Sequence, residues 1–228
     1  MDQFTYFHKA LSDLGYQGLF LPKLQSPCLM MPNNCGPDGC AIFYKTMTLE
    51  LLNREEFYLD SDTGKPNRPG IIVDLKEKKS GKEFCVATTH LKAKEGFESM
   101  RLHDGKKLLE KLASKTTPVV VCGDFNAVPT EPVIQAFRDS PLNLRNVYED
   151  IGAIPKYTTW KIRPRKNDDG TVAEVEFCKN IDYIWCSQKG IEVSAVLSIP
   201  TEDEIGKGRL PSCTYPSDHL AIAAKVQL

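Results

Sequence analysis

The most useful observations about this chain of 228 residues begin with what it does not contain. No apolar run approaches the roughly 20 residues of a membrane-spanning helix. Met1 leads straight into Asp2-Gln3-Phe4-Thr5, without the basic segment and apolar stretch of a secretory signal. A soluble, cytoplasmic protein with no membrane partner is therefore expected, and any mitochondrial targeting segment would have to precede Met1. Excess charge is also missing. Lys and Arg total 29 against 30 Asp and Glu, a formal net charge of −1, so no global positive field exists to drive sequence-independent binding to nucleic acid, and phosphate recognition must be local. Among eight cysteines there is no Cys-x-x-Cys. Cys28, Cys35 and Cys40 are close together, but their spacing matches no common zinc pattern and no histidine is nearby, while Cys85, Cys122 and Cys186 fall in strand-like runs. Reduced, mostly buried thiols are the expectation. No internal repeat, linker or long apolar-poor segment interrupts the chain, which predicts a single domain over residues 1–228.

What is present is a mixture of helical and strand periodicities. Phe4, Phe7, Ala10, Leu11 and Leu14 recur at helical spacing ahead of Gly15, predicting an opening helix. Residues 18–21 and 40–44 predict strands separated by a turn at Gly36-Pro37-Asp38-Gly39. The runs 71–75 and 84–88 predict a hairpin, residues 98–112 a helix, and Val119-Val120-Val121-Cys122 a buried strand. Thr130 is a candidate cap for a helix over residues 131–139, and Thr201 to Glu204 has capping-box form. Residues 181–186 and 220–226 predict the last strands. Paired strands with intervening helices predict an α/β fold with two packed sheets and helices on the outer faces.

Polar groups gather where these strands end. In Cys122-Gly123-Asp124-Phe125-Asn126, strand alternation would place Asp124 and Asn126 on one face, whereas an alternative is a turn in which the two side chains bond their own backbone. His90 follows the run 86–89, Asp182 opens the run 181–186, and Asp218-His219 precede Leu220. A lone histidine beside a strand is more often structural, but two histidines and three aspartates at strand borders suit a hard cation and proton transfer. Lys23, Lys92, Lys94, Lys161 and Arg163 are either solvated surface charges or phosphate contacts, Arg163 being suited to two-point binding. Tyr157 and Trp160 could stack a base or belong to the core.

The ordered blocks Gly36-Pro37-Asp38-Gly39, Thr89-His90-Leu91-Lys92, Gly123-Asp124-Phe125-Asn126, Asp182-Tyr183-Ile184 and Ser217-Asp218-His219 resemble the endonuclease/exonuclease/phosphatase superfamily. The stretches 14–18, 26–29, 157–163 and 209–212 place the resemblance in its deadenylase-like branch. The resemblance implies a two-sheet sandwich in four layers, α/β/β/α, and Mg²⁺-dependent attack of water on a phosphate ester. It further implies catalytic roles for Asp124, Asn126, His90, Asp182 and His219, with Asp182 aligning His219. Asp124, Asn126 and Asp218 would serve at the metal. Lys23, Lys92, Lys94 and Arg163 would hold substrate phosphates, although arginine is the family form expected where Lys94 stands. The substrate implied is NADP⁺ or NADPH, losing its 2′-phosphate. A 3′-exonuclease acting on poly(A) RNA and a non-catalytic nucleotide- or protein-binding fragment are the alternatives. In the family a Gln-Glu-Val-Asp motif supplies a principal metal-binding Glu. Asp2 corresponds to its Asp, so that Glu and the strands bearing it would precede Met1, and this chain alone is expected to be inactive and poorly stable.

Overall fold

A computed structural model describes residues 3–59, 67–167 and 169–228; the Asp2 correspondence lies outside them. The opening helix α1 (Phe4–Ser12) is followed by β1 (Tyr16–Pro22) and β2 (Gly39–Lys45), then by β3 (Leu49–Leu59), β4 (Arg68–Glu77) and β5 (Glu83–His90). Helix α2 (Glu98–Leu112) leads to β6 (Val119–Asp124), α3 (Pro132–Arg138), β7 (Leu144–Asn146) and α4 (Val147–Asp150). The chain ends with β8 (Thr159–Lys166), β9 (Val172–Lys179), β10 (Asp182–Ser187), β11 (Glu192–Val196), α5 (Glu202–Ile205) and β12 (Ala224–Gln227).

Six strands form one sheet in the order β3-β4-β5-β6-β10-β7. Only β5 and β6 are parallel, and α2 makes the crossover between them. Alternation divides β5 and β6 cleanly. Cys85, Ala87, Val119 and Val121 are fully buried beneath α2 and α3, where they join Leu108, Leu112, Phe125, Phe137 and Trp185 in the main core. The two helices approach closely at Gly105, where a Cβ would stand 2.5 Å from a Val133 methyl. Burying residues of this size stabilises by about 1.5–3 kcal/mol each before conformational entropy is subtracted.

The opposite face is covered by two separate ribbons. The β1-β2 hairpin packs Leu19, Leu21, Ile42 and Tyr44 onto Ile71, Val73 and Leu75. At the other end β11-β12 packs with Ile191 and Val193 against Cys186, Val147 and Tyr148. Between them Val86, Thr88, Val120 and Cys122 are only partly buried. Helix α1 lies outside the first ribbon, its Phe4 ring stacked on Phe20 and Phe43 at 4.9 and 5.5 Å. Helices, sheet, ribbons and helix thus give the expected sandwich, with its second sheet as discrete pairs of strands.

Three local expectations change. Glu131, in extended conformation, is the N-cap of α3 and makes no side-chain cap bond, so Thr130 does not cap it. The final strand starts at Ala224 instead of residue 220, because Leu220 turns inward to a small cluster with Tyr157, Trp160, Ile205 and Leu210. A further hairpin, β8-β9, pairs with no other named strand among the described residues. The capping box at Thr201 forms as read.

Candidate active site

Topology sets three polar residues in a row. Because β5 and β6 are parallel, their last residues His90 and Asp124 are direct partners, and antiparallel β10 opposes Asp124 with its first residue, Asp182. His90 Nε2 lies 3.3 Å from Asp124 Oδ2. His219 arrives from the far end of the chain, held by a β-bridge to Thr159, and its Nδ1 is 2.9 Å from Asp182 Oδ2. The Thr158 hydroxyl donates to the same carboxylate oxygen at 2.6 Å while accepting from the Ile181 and Asp182 amides. Asp182 is therefore fixed from two sides.

Asn126 reaches this row by a different route from strand alternation. The strand ends at Asp124, whose Oδ1 accepts the Asn126 amide at 2.8 Å, and Asn126 adopts a left-handed φ of 50°. The alternative, a turn in which the Asp124 side chain bonds the backbone, is what forms. Asn126 Nδ2 donates to the Leu91 carbonyl, and the Leu91 amide donates to Asp124 O, stitching together the loops after β5 and β6.

Electrostatics fit this crowding. Burial raises the Asp124 carboxyl above the ordinary carboxylate range; His90 opposes the rise and the neighbouring Asp182 adds to it. For His219, burial acts downward, but the bond and charge of Asp182, with Asp124 and Asp218, leave its pKa raised. Carboxylate oxygens of Asp124 and Asp182 and a ring nitrogen of His219 lie within 4.8 Å of one another. Two carboxylates crowded at a partly buried site suit a hard divalent cation, which would offset their repulsion.

Asp218 stands apart from that cluster. Its Oδ2 meets Lys161 Nζ at 2.6 Å and Arg163 Nη2 at 2.7 Å, and although burial acts upward, these cations and His219 hold its pKa below the ordinary range. The structure thus brings Asp124, Asn126, Asp182, His219 and His90 together, and turns Asp218 toward the cations of β8. Of the predicted phosphate contacts, Lys92 has its pKa lowered by burial and then by the charges of Lys94, Lys23 and Arg68. Lys23 is 3.5 Å from Asp38, and Arg163 is largely exposed. Tyr157 and Trp160 are core residues: both are buried, their ring centroids are 4.6 Å apart, and Arg209 covers the indole.

A recess of about 260 Å³ adjoins Asn126 and is lined by Lys94, Arg101, Glu131, Phe177 and Lys179 among others. Phe177 was not singled out from the sequence, although Ala173, Val175 and Phe177 alternate with Glu174 and Glu176 as a strand would, which was the available signal. Lys179 and Lys161 place their ammonium groups 4.6 and 5.4 Å from its ring centroid. Thr158 was also missed as an Asp182 partner; its place in Tyr157-Thr158-Thr159-Trp160 was the available clue.

Residues 3–219 match the sequence profile of the Endonuclease/Exonuclease/phosphatase family. The chain belongs to that family. Within the family it is 45% identical to Nocturnin of Xenopus laevis over 227 residues, 96% of this chain and 56% of that protein. It superposes on the human Nocturnin catalytic domain with bound sulfate anion at a TM-score of 0.83 and 38% identity, covering 100% of this chain and 78% of that one. The CCR4-Not complex 3'-5'-exoribonuclease subunit Ccr4 of Candida albicans is 27% identical over 94% of this chain and 32% of that protein. The chain spans about half the length of the Nocturnins it matches. Hydrolysis by a nuclease- or phosphatase-type site is the family chemistry, and His90, Asp124 and Asp182 meet where β5 and β6 end and β10 begins.

Proposed function

We propose that the protein hydrolyses the 2′-phosphate of NADP⁺ and NADPH with Mg²⁺. The observation that carries this reading is a local cationic set: Lys92 follows Leu91, whose amide bonds Asp124 O, and feels the charges of Lys94 and Lys23, while Lys161 and Arg163 bond Asp218, the neighbour of His219. In a chain of net charge −1, that arrangement suits a small, multiply charged ligand better than an extended RNA backbone. The recess at Phe177 would receive one ring of the dinucleotide.

Asp124, Asn126 and Asp182 would hold the metal through oxygen donors, and the ion would supply charge neutralisation at the phosphoryl oxygens. Asp124 orients water and accepts its proton as oxygen attacks phosphorus. The bond from phosphorus to the ribose 2′-oxygen breaks, and that oxygen takes up a proton, giving NAD⁺ or NADH and inorganic phosphate. His219, aligned by Asp182, contacts the phosphate, and His90 donates to a phosphoryl oxygen. The resemblance assigns the metal a further carboxylate that this chain does not contain, so this chain alone is proposed to be inactive and a parent form that carries it active.

A poly(A) 3′-exonuclease is the second reading, favoured by the aromatic recess beside Asn126, which would accept an adenine equally well. A cytoplasmic location accompanies either activity in this proposal. Incubating the parent protein and this chain side by side with NADPH and Mg²⁺ tests both. Phosphate release abolished by a chelator is expected from the parent; no phosphate release, with poly(A) shortened, would establish the second reading.

A further inference from the structure

We infer that Arg101 is a positioning residue that sets the lysine-bearing loop after β5 against the Asn126 loop after β6. Its guanidinium is buried on the first turns of α2, and its donors are distributed between the two loops. Nη1 donates to the carbonyls of Lys92 and Lys94 at 3.0 and 2.8 Å. Nε donates to Glu131 Oε2 at 2.8 Å, and Nη2 to Glu98 Oε1 at 3.2 Å. The other Glu131 oxygen accepts the Val128 amide at 3.2 Å, two residues beyond Asn126. A chain of bonds therefore runs from Lys94 through Arg101 and Glu131 to Val128, two residues beyond Asn126 in the loop after β6.

Two observations separate this arrangement from an ordinary buried ion pair. Lys94 has φ 83°, a conformation that residues with a side chain rarely adopt, and its carbonyl is one of the two gripped by Nη1. Arg68, the other buried arginine, pairs with Asp104, and its side-chain bonds tie β4 to α2 without bonding either loop. Only a planar fork can hold two carbonyls of one loop and a carboxylate of another; an ammonium group in the same place cannot span them. The inference rests on the proposed reading in one respect, that Lys92, Lys94 and Asn126 face the substrate.

The test is a binding cycle with adenosine 2′,5′-bisphosphate as probe, followed by calorimetry in the wild-type parent protein, R101K, K92M/K94M and the triple variant. R101K is expected to weaken the probe about tenfold in the wild-type background and less than about twofold once both lysines are gone. An equal loss in both backgrounds, or no loss in either, overturns the inference. E131Q removes the ion pair without shortening a side chain and should weaken the probe in the same direction; an unchanged affinity counts against the inference even if R101K fails to fold. Amide exchange at residues 92–96 and 126–128 should quicken in E131Q relative to α2, and uniform exchange would refute the coupling. A wild-type protein that binds the probe without hydrolysing NADPH would overturn the substrate reading and leave this one standing; one that does not bind the probe would overturn both.

Discussion

Replacing Gly123 by alanine tests whether strand spacing sets the geometry of the row. Gly123 lies on β6 opposite Thr89 and Tyr183, one residue before Asp124. A Cβ there would stand 2.2 Å from the Thr89 carbonyl oxygen and 3.3 Å from its carbon, both backbone atoms. Against an ordinary carbon–oxygen contact of about 3.3 Å, this is roughly 1 Å too close. No rotamer can relieve it, so β5 and β6 must separate. Overpacking that moves backbone costs about 3 kcal/mol, which in a domain of this size lowers Tm by roughly 6–12 °C. The same displacement opens the 3.3 Å contact between His90 and Asp124 and the 2.9 Å bond from Leu91 to Asp124, and a 1 Å error in positioning costs about a hundredfold in rate. Thermal unfolding and phosphate release should be measured together. A Tm within about 2 °C of wild type would refute the steric argument. A lowered Tm with the rate intact would show that the row does not depend on the spacing of β5 and β6.

Three further outcomes are expected. D104N leaves the buried Arg68 guanidinium without its carboxylate and should cost about 3–5 kcal/mol in denaturant unfolding; a loss below about 1 kcal/mol would mean that water reaches the pair. Lys115 bonds both Asp74 oxygens at 2.7 Å, and although burial acts upward, these bonds hold the Asp74 pKa below its ordinary value. Since the folded pKa is depressed, this stabilisation is present above the ordinary carboxylate range and is lost as pH falls through the lowered value. K115M should therefore cost about 1 kcal/mol at pH 7 and converge on wild type in strong acid, and a cost independent of pH would contradict the pairing. D182N should lower turnover by about a hundredfold or more with little loss of secondary structure, because His219 and Thr158 lose a charged acceptor; an unaffected rate would remove Asp182 from the mechanism.

Most of the fold was legible because its elements carry strong periodic signals: α1, α2 and the strands 71–75, 84–88 and 119–122 appear within a few residues of their predicted places. The hairpin β8-β9 was not legible. Its strands are largely exposed beyond Trp160, and the one alternation they hold, Ala173, Val175 and Phe177 between glutamates, is short and covers no buried face. The site residues were recognisable one by one from strand ends, whereas their adjacency follows from the parallel pairing of β5 with β6, which no local sequence encodes. The resemblance implies a place for Asp218 at the metal, and the structure shows its carboxylate bonded to Lys161 and Arg163, contacts that adjacency to His219 does not reveal. Arg101 and Glu131 are unremarkable charged residues in sequence, and only burial distinguishes them.

The β8-β9 hairpin also separates two kinds of evolutionary constraint. Lys161, Arg163 and Phe177 sit on an arm that pairs with no other named strand among the described residues, and its outer half contributes little to the four hydrophobic clusters. Asp124, His90 and Asp182, in contrast, are ladder partners in the central strands of the main sheet. Under the proposed function, substitutions in the outer half of the arm would exchange one phosphorylated ligand for another with little effect on folding, whereas changes in the row would also cost the central strands. Proteins built on this plan would then diverge in what they select while keeping how they cleave.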